Sequence, residues 1–396
     1  MITYKLLILL SSLVIFSYLF EILARKTRFP SVLLLLALGI GLRFVVDYFQ
    51  FPTVNFFSIL PTLGIIGLVL IVLEGSLELK YHRTKNRIIL KSFLSALFIL
   101  LITTAAVTYI FYLASGVGWN KCIVNAIPYS IISSAIAIPS VANLSADKKE
   151  FIVYESSFSD IIGIMVFNFF LFNEKIDVSS FTWLAWDTLM IGLVSAAFCL
   201  LLLYIIGRIK HQIKFFLIIS IIILVYSAGA MLHLPALIVV LAFGLFLSNA
   251  GQIKNAFFKK YFMYGEFYQD LEQMHRISAE SAFLIRTFFF IVFGFIIETG
   301  LLTDPGTIRI GLSILVIIYL VRGIYLKLLG SIPLLPELFI SPRGLISILM
   351  FISIPDKLRF PETNTGLLFL VILSTSLVML IGLLLTKNSK NLPDSN

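Results

Sequence analysis

The chain has 396 residues, of which 59% are hydrophobic and only 13% are charged, and its mean hydropathy is +1.03. A soluble domain carries about 25% charged residues, so this composition excludes an ordinary soluble protein. The hydrophobic residues fall in continuous blocks of about twenty, the length that crosses ~30 Å of hydrocarbon as a helix. Continuous runs also argue against a β-barrel, whose strands alternate apolar and polar residues.

These blocks predict an all-α membrane protein with about thirteen transmembrane helices. The predicted spans are 4–24, 29–49, 56–78, 88–114, 122–145, 150–172, 182–207, 214–232, 234–250, 279–299, 306–328, 335–354 and 364–386. Residues 1–386 are therefore predicted to form a single transmembrane domain, and residues 387–396 a polar cytoplasmic tail. Within the domain, residues 249–278 mix aromatic and charged side chains. This pattern fits a cytoplasmic interfacial helix and a packed linker between two halves equally well.

Lysine and arginine are concentrated in the loops that follow odd-numbered spans. Because basic loops stay in the cytoplasm, this asymmetry predicts a multi-pass protein of the cell membrane with its N-terminus outside and its C-terminus in the cytoplasm. The formal net charge of +9 thus reflects topology, and no nucleic-acid partner is predicted.

Spans five and twelve each contain a proline flanked by serine, Pro139 and Pro342, and Arg343 follows the second proline. Proline removes a backbone donor and clashes with the preceding turn, so both helices are predicted to break there. A single proline is often only a kink, but these two lie one span before span six and one span before span thirteen. That spacing predicts inverted repeats with two crossed broken helices, as in many secondary transporters.

Span six carries two acids, Glu155 and Asp160. A charge at the centre of a membrane helix costs roughly 2.5–3.5 kcal/mol, so such acids mark ion or proton paths unless both are structural ion-pair partners. Arg322 of span eleven lies at the depth of Glu155 and is predicted to pair with it. Five residues place the two acids about 140° apart around a helix, whereas Ser156 shares the face of Asp160.

Asp160 is therefore expected to face a water-filled cavity and to bind a proton and a monovalent metal cation in turn. Hard cations prefer oxygen ligands. Ser156, Ser159 and the unwound carbonyl groups of span five are the candidates to complete the ligand set around Asp160.

Four segments together resemble one known group, the cation:proton antiporter superfamily, and specifically its electroneutral sodium/proton exchanger branch. Glu155-Ser156-Ser157-Phe158-Ser159-Asp160 is similar to the Glu-Ser-x-x-Asn-Asp motif of that family. Leu73-Glu74-Gly75 resembles its Phe-Glu-Gly segment, and Pro342-Arg343-Gly344 resembles its Leu-Arg-Gly. Arg322 matches the basic residue that pairs with the glutamate of the motif. The resemblance covers nearly the whole membrane domain.

The resemblance implies that Asp160 binds the transported ion, that Ser156 is a serine ligand, and that Glu74 is the third-span glutamate. It also implies a homodimer in the lipid bilayer and an elevator-like movement of the broken-helix bundle. The implied activity is exchange of Na⁺, or of K⁺ or Li⁺, for H⁺. Since one carboxylate occupies the final pair of the motif, we predict one proton per cation and electroneutral exchange, with no cofactor.

The sequence departs from the family pattern at two places. Ser159 stands where the family has Asn, and Ala137-Ile138-Pro139 stands where it has Thr-Asp-Pro. A side-chain ligand at Ala137 and a carboxylate that balances the half-helix dipoles are therefore missing. The serines that could compensate in part are Ser133, Ser134 and Ser140. The departures keep open an alternative, a degenerate family member that acts as a membrane sensor or partner-binding subunit without transporting.

An enzyme is not predicted. The chain has no His-Glu-x-x-His motif for zinc, and no second deep aspartate that would form a protease dyad with Asp160. A channel is not predicted either, because the sequence contains no repeated filter or pore ring.

Overall fold

The computed structural model describes residues 2–27, 30–49, 60–79, 85–141, 144–173, 214–231, 236–253, 265–297, 303–329 and 334–388. It also describes short runs and single positions between 182 and 204, and positions 258 and 300. The described part of the chain is helical and contains no strand. Its α-helices are α1 (Ile2–Thr27), α2 (Ser31–Tyr48), α3 (Leu60–Glu78), α4 (Asn86–Ser115), α5 (Trp119–Ser130), α6 (Ser134–Ser140), α7 (Ala146–Phe172), α8 (Lys214–Met231), α9 (Leu237–Asn249), α10 (Phe267–Ile296), α11 (Pro305–Ile324), α12 (Leu345–Ser353) and α13 (Thr365–Asn388).

The all-α membrane prediction is confirmed. Among the described residues, eight helical segments are long and apolar enough to cross a membrane, with α5 and α6 counted as one. Shorter apolar helical segments lie at Ser11–Leu23, Gly192–Leu202, Phe215–Met231 and Leu237–Gln252. The short helix α12, with the turn before it, occupies the place of predicted span twelve. Much of predicted span seven, 182–207, lies outside the described residues.

Helix α10 begins at Phe267, earlier than the predicted start of span ten at residue 279. Its first turns are amphipathic, and Arg276 pairs with Glu272 one turn earlier at 2.6 Å. Such pairs support a helix that continues beyond the apolar span. The last part of the linker predicted at 249–278 therefore belongs to α10, while residues 254–257 and 259–264 lie outside the described residues.

Two helix ends show why the elements start and stop where they do. Helix α4 ends at Ser115, and the next residue, Gly116, has a left-handed φ of 67° and an amide that donates to the Tyr112 carbonyl at 2.9 Å. Glycine adopts that conformation without strain. Helix α11 begins after Asp304, whose carboxylate accepts from the Thr307 amide at 2.7 Å. This hydrogen bond lowers the pKa of Asp304, as expected of a carboxylate that caps a helix.

The helices pack into two bundles. We call α1, α2, α3, α8, α9 and α10 the panel, and α4, α5, α6, α7, α11, α12 and α13 the core bundle. Within the panel, α2 and α10 cross closely at Gly39 and Gly294. A methyl group at Gly39 would lie 2.2 Å from the Ile291 carbonyl oxygen, and one at Gly294 would lie 2.5 Å from the Leu36 carbonyl oxygen. Only glycine permits this approach. Contacts of α3 and α10 with α6, α7 and α12 join the panel to the core bundle.

The first break does not lie at Pro139, so that prediction was wrong. Helix α5 ends at Ser130, residues 131–133 are non-helical, and Pro139 lies inside the last turn of α6. Proline removes one backbone donor, and near the end of a short helix this loss does not interrupt the chain direction. Side chains from other helices instead hold the unwound segment, as described below.

The second break lies at Pro342, as predicted. Residues 335–339 form a turn, residues 340–344 are irregular, and α12 follows. The two breaks meet directly, because the Ser133 amide donates to the Pro342 carbonyl at 2.8 Å. The core bundle therefore contains two crossed broken segments, one before α7 and one before α13.

Candidate functional site

Asp160 lies on α7 against the first break, and its side chain is completely buried. Its Oδ2 accepts a hydrogen bond from the Ser134 amide at 3.3 Å, and the Ser134 hydroxyl lies beside it. Its Oδ1 has no hydrogen-bond partner among the described residues. The expectation that Asp160 faces a water-filled cavity is therefore not met in this conformation, since the unwound segment and the first residues of α6 enclose the carboxyl group.

The unwound segment 131–133 and the start of α6 satisfy their amides outside their own helix. The Ile132 amide donates to Ser159 Oγ at 2.9 Å, and the Ser133 amide donates to the Pro342 carbonyl. The Ser134 amide donates to Asp160. A buried amide without an acceptor is costly. The position of the first break is thus determined by acceptors from α7 and from the second break.

Arg343 is fully buried and satisfies the carbonyl groups on the other side of the first break. It donates to the Tyr129 carbonyl at 2.7 Å and to the Ser130 carbonyl at 3.2 Å, which are the last two carbonyls of α5. It also donates to the Ser341 carbonyl at 2.7 Å. A helix carries partial negative charge at its C-terminus and partial positive charge at its N-terminus. Arg343 therefore complements the end of α5, while Asp160 complements the start of α6.

This arrangement explains how the chain tolerates the missing family carboxylate. Ala137 is buried in α6 and its methyl group offers no ligand atom. Ile138 contacts α3, because a methyl group at Gly75 would lie 3.5 Å from Ile138 Cδ1. The dipoles at the first break are nevertheless complemented by Arg343 and Asp160.

Glu155 and Arg322, which were predicted to pair, form a two-pronged ion pair in the core bundle. Their nitrogen–oxygen distances are 3.0 and 2.7 Å, and at most 1% of either side chain is exposed. The Ser95 hydroxyl donates to Glu155 at 2.5 Å, and Arg322 Nε donates to the Glu337 carbonyl at 2.8 Å. Glu155 is thereby neutralised, whereas no ion pair of Asp160 is present in the described part of the chain.

The remaining predicted site residues are placed less directly. Ser159 contacts the first break through Ile132, but the Ser156 hydroxyl donates to the Ile152 carbonyl of its own helix at 2.8 Å. Glu74 is half-buried near the end of α3 and forms no hydrogen bond with Asp160 among the described residues. Its neighbour Gly75 faces α6 and α7, so Glu74 lies at the junction of the two bundles.

Sequence reasoning missed Arg286 on α10. Only 8% of this residue is exposed, and its Nη1 donates to the Ala135 carbonyl of α6 at 3.2 Å. The available signal was its position inside predicted span ten, because a charged residue within a membrane segment is by itself a candidate functional residue.

The family described as "Sodium/hydrogen exchanger, transmembrane" matches residues 10–387 of the chain. The chain belongs to this family. The resemblance inferred from the sequence motifs is thereby confirmed at the level of a cation:proton antiporter. The exchanger is a multi-pass membrane protein, since its family and its apolar helices agree.

Two solved structures of one protein share the fold of this exchanger. The sodium proton antiporter MjNhaP1 from Methanocaldococcus jannaschii at pH 8 is 18% identical, with a TM-score of 0.71 over 96% of this chain and 100% of that chain. An electron-microscopy map of the same antiporter gives a TM-score of 0.66 at 18% identity, over 99% of both chains. The comparison with curated protein sequences found no match.

Proposed function

We propose that the exchanger is an electroneutral Na⁺/H⁺ antiporter in which Asp160 carries a cation and a proton in turn. The observation that carries this proposal is a single carboxyl group, buried without an ion-pair partner among the described residues, at the crossing of two broken segments. Its Oδ1 remains available to a ligand. A buried charge without a counter-charge is too costly to retain for packing alone.

The cation ligands that we propose are oxygens from α7 and the first break. Asp160 Oδ1 is the charged ligand, and the hydroxyl of Ser133, which is buried without a hydrogen-bond partner in the described structure, is our candidate to replace the family threonine. Ser159 lies at the same break, and Ser156 and Glu74 remain proposed contributors. Carboxylate and hydroxyl oxygens suit a hard cation such as Na⁺.

The charge balance of the core bundle supports the electroneutral stoichiometry. Glu155 is neutralised by Arg322, and Arg343 donates its hydrogen bonds to neutral carbonyl groups. None of these three side chains needs to gain or lose a charge during transport. Asp160 alone exchanges one proton for one monovalent cation, which moves no net charge.

Access from the two sides of the membrane then requires movement of the core bundle against the panel, as in other inverted-repeat transporters. We further propose that the N-terminus lies outside and the C-terminus in the cytoplasm, and that the exchanger is a homodimer.

The test is proton flux in proteoliposomes with Na⁺, K⁺ and Li⁺ offered in turn. Asp160→Asn is expected to abolish cation-driven flux, because an amide cannot exchange a proton for a cation. Asp147→Asn is the matched control, since Asp147 is an exposed acid on the same helix. Flux that persists in Asp160→Asn would exclude the mechanism, and flux driven by membrane voltage at fixed ion gradients would exclude electroneutral exchange.

The same experiment decides the alternative of a non-transporting family member. Absence of flux with all three ions from folded wild-type protein would favour it. Activity gained by Ala137→Thr with Ile138→Asp would then identify the altered first break as the cause.

A further inference from the structure

One buried hydrogen bond joins the panel to the first broken segment of the core bundle. Arg286 lies on α10 of the panel, and its Nη1 donates to the carbonyl oxygen of Ala135 on α6 at 3.2 Å. Only 8% of Arg286 and 4% of Ala135 are exposed. A charged donor on a neutral carbonyl makes one of the stronger kinds of hydrogen bond in a protein.

The Ala135 carbonyl is available to Arg286 for a reason that lies in the sequence. In an α-helix, a carbonyl group accepts from the amide four residues later. For Ala135 that residue is Pro139, which has no N–H. Pro139 therefore does not break α6 but leaves one of its carbonyls without a backbone donor, and Arg286 supplies the donor from another bundle.

The contact lies one residue from the candidate ion site. The amide of Ser134 donates to Asp160, and the carbonyl of the next residue, Ala135, accepts from Arg286. The start of α6 is therefore held between a carboxylate of the core bundle and a guanidinium of the panel. Arg286 itself belongs to α10 and therefore to the panel.

We propose that Arg286 is a positioning residue that latches α6 to the panel in this conformation and releases it when the core bundle moves. This inference rests on the proposed antiport function. Because Ala135 moves with the core bundle and Arg286 stays with the panel, a core movement that exposes Asp160 to the other side separates the two groups. The latch therefore stabilises one access state over the other.

Loss of such a latch would change the cation affinity on the two sides of the membrane differently, whereas loss of an ordinary packing contact would not. On each side of the membrane, the apparent affinity for the cation is proportional to the fraction of protein that is open to that side. Loss of the latch lowers the population of one access state and raises that of the other. The two KM values for the cation, measured from the two sides, are thus expected to move in opposite directions.

The experiment compares Arg286→Gln with the wild type in sealed vesicles of each orientation, with Na⁺ as the driving ion. We expect the ratio of the two KM values to change about tenfold, the scale of one charged hydrogen bond. Arg276→Gln is the matched control on the same helix, because Arg276 is exposed and pairs only with its neighbour Glu272 in the described structure. Equal changes of both KM values, or no change, would overturn the latch.

Pro139→Ala tests the same bond from the other end and serves if Arg286→Gln does not fold. The new amide would compete with Arg286 for the Ala135 carbonyl, so this variant is expected to shift the KM ratio in the same direction. Combining both substitutions should add little to either one, since they remove one interaction. Additive effects would show that Arg286 does not act through Ala135.

A transport-independent measurement separates failure of the latch from failure of the proposed function. Hydrogen exchange of the α6 amides, followed in detergent, is expected to be about tenfold faster in Arg286→Gln than in Arg276→Gln. Wild-type protein without any cation flux would refute the antiport function and leave this test valid. Unchanged hydrogen exchange of the α6 amides would overturn the latch, whatever cation flux is measured.

Discussion

The Glu155–Arg322 pair yields a quantitative prediction about stability. Arg322→Met would remove both hydrogen bonds to Glu155 and the bond to the Glu337 carbonyl, which measure 3.0, 2.7 and 2.8 Å. It would leave Glu155 buried as an uncompensated charge, a change that costs about 3–5 kcal/mol. With an unfolding entropy of about 2.1 cal/mol/K per residue, the Tm of the whole chain falls by roughly 5 °C.

Thermal unfolding in detergent, followed by tryptophan fluorescence, measures this change. Arg309→Met is the matched control, because Arg309 is an exposed arginine on the same helix α11 and its loss should leave the Tm within about 1 °C. Adding Glu155→Gln to Arg322→Met removes the stranded charge and should restore most of the stability. The reasoning is refuted if Arg322→Met resembles the control, or if the double variant is no more stable than the single one.

Two further changes test the breaks. Ser159→Ala removes the acceptor of the buried Ile132 amide, so it should cost about 1–3 kcal/mol in the same unfolding assay; a Tm equal to wild type would contradict this. Gly344→Ala places a methyl group 2.7 Å from Ser133 Oγ. It should therefore separate the breaks and lower the flux about tenfold, whereas Gly41→Ala, in open space on α2, should not. Equal fluxes from these two variants would contradict the crossing.

Much of the fold was predictable because membrane helices follow simple physical limits. The apolar blocks had to be helices of a certain length. In the described residues, eight segments of spanning length and several shorter apolar helices lie in the predicted order. The pairing of Glu155 with Arg322 followed from depth alone, because two buried opposite charges at one level have few other partners.

The position of the first break was not predictable from the segment that contains it. Proline at position 139 was the visible signal, yet the chain unwinds at 131–133 because acceptors and donors arrive from distant residues. Ser159 supplies an acceptor from α7, and Arg343 supplies donors from the second break. The local sequence indicates where a helix can be interrupted, and the tertiary hydrogen bonds determine which of these positions is non-helical in the folded protein.

The enclosure of Asp160 and the role of Arg286 escaped prediction for the same reason. Both depend on how α6 lies between the core bundle and the panel, which no spacing along one helix reports. The position of Arg286 inside predicted span ten marked it as a candidate, but the sequence did not show that it reaches the Ala135 carbonyl of α6.

The hydrogen bond from the Ser133 amide to the Pro342 carbonyl joins the two breaks through main-chain atoms alone. Such a bond does not depend on the identity of the side chains at either position, as long as the backbone keeps its path. The contact between the two breaks therefore tolerates side-chain substitutions that leave the backbone in place. Substitutions at nearby positions such as Ala137 and Ile138 therefore leave this bond in place, provided that the backbone path is kept.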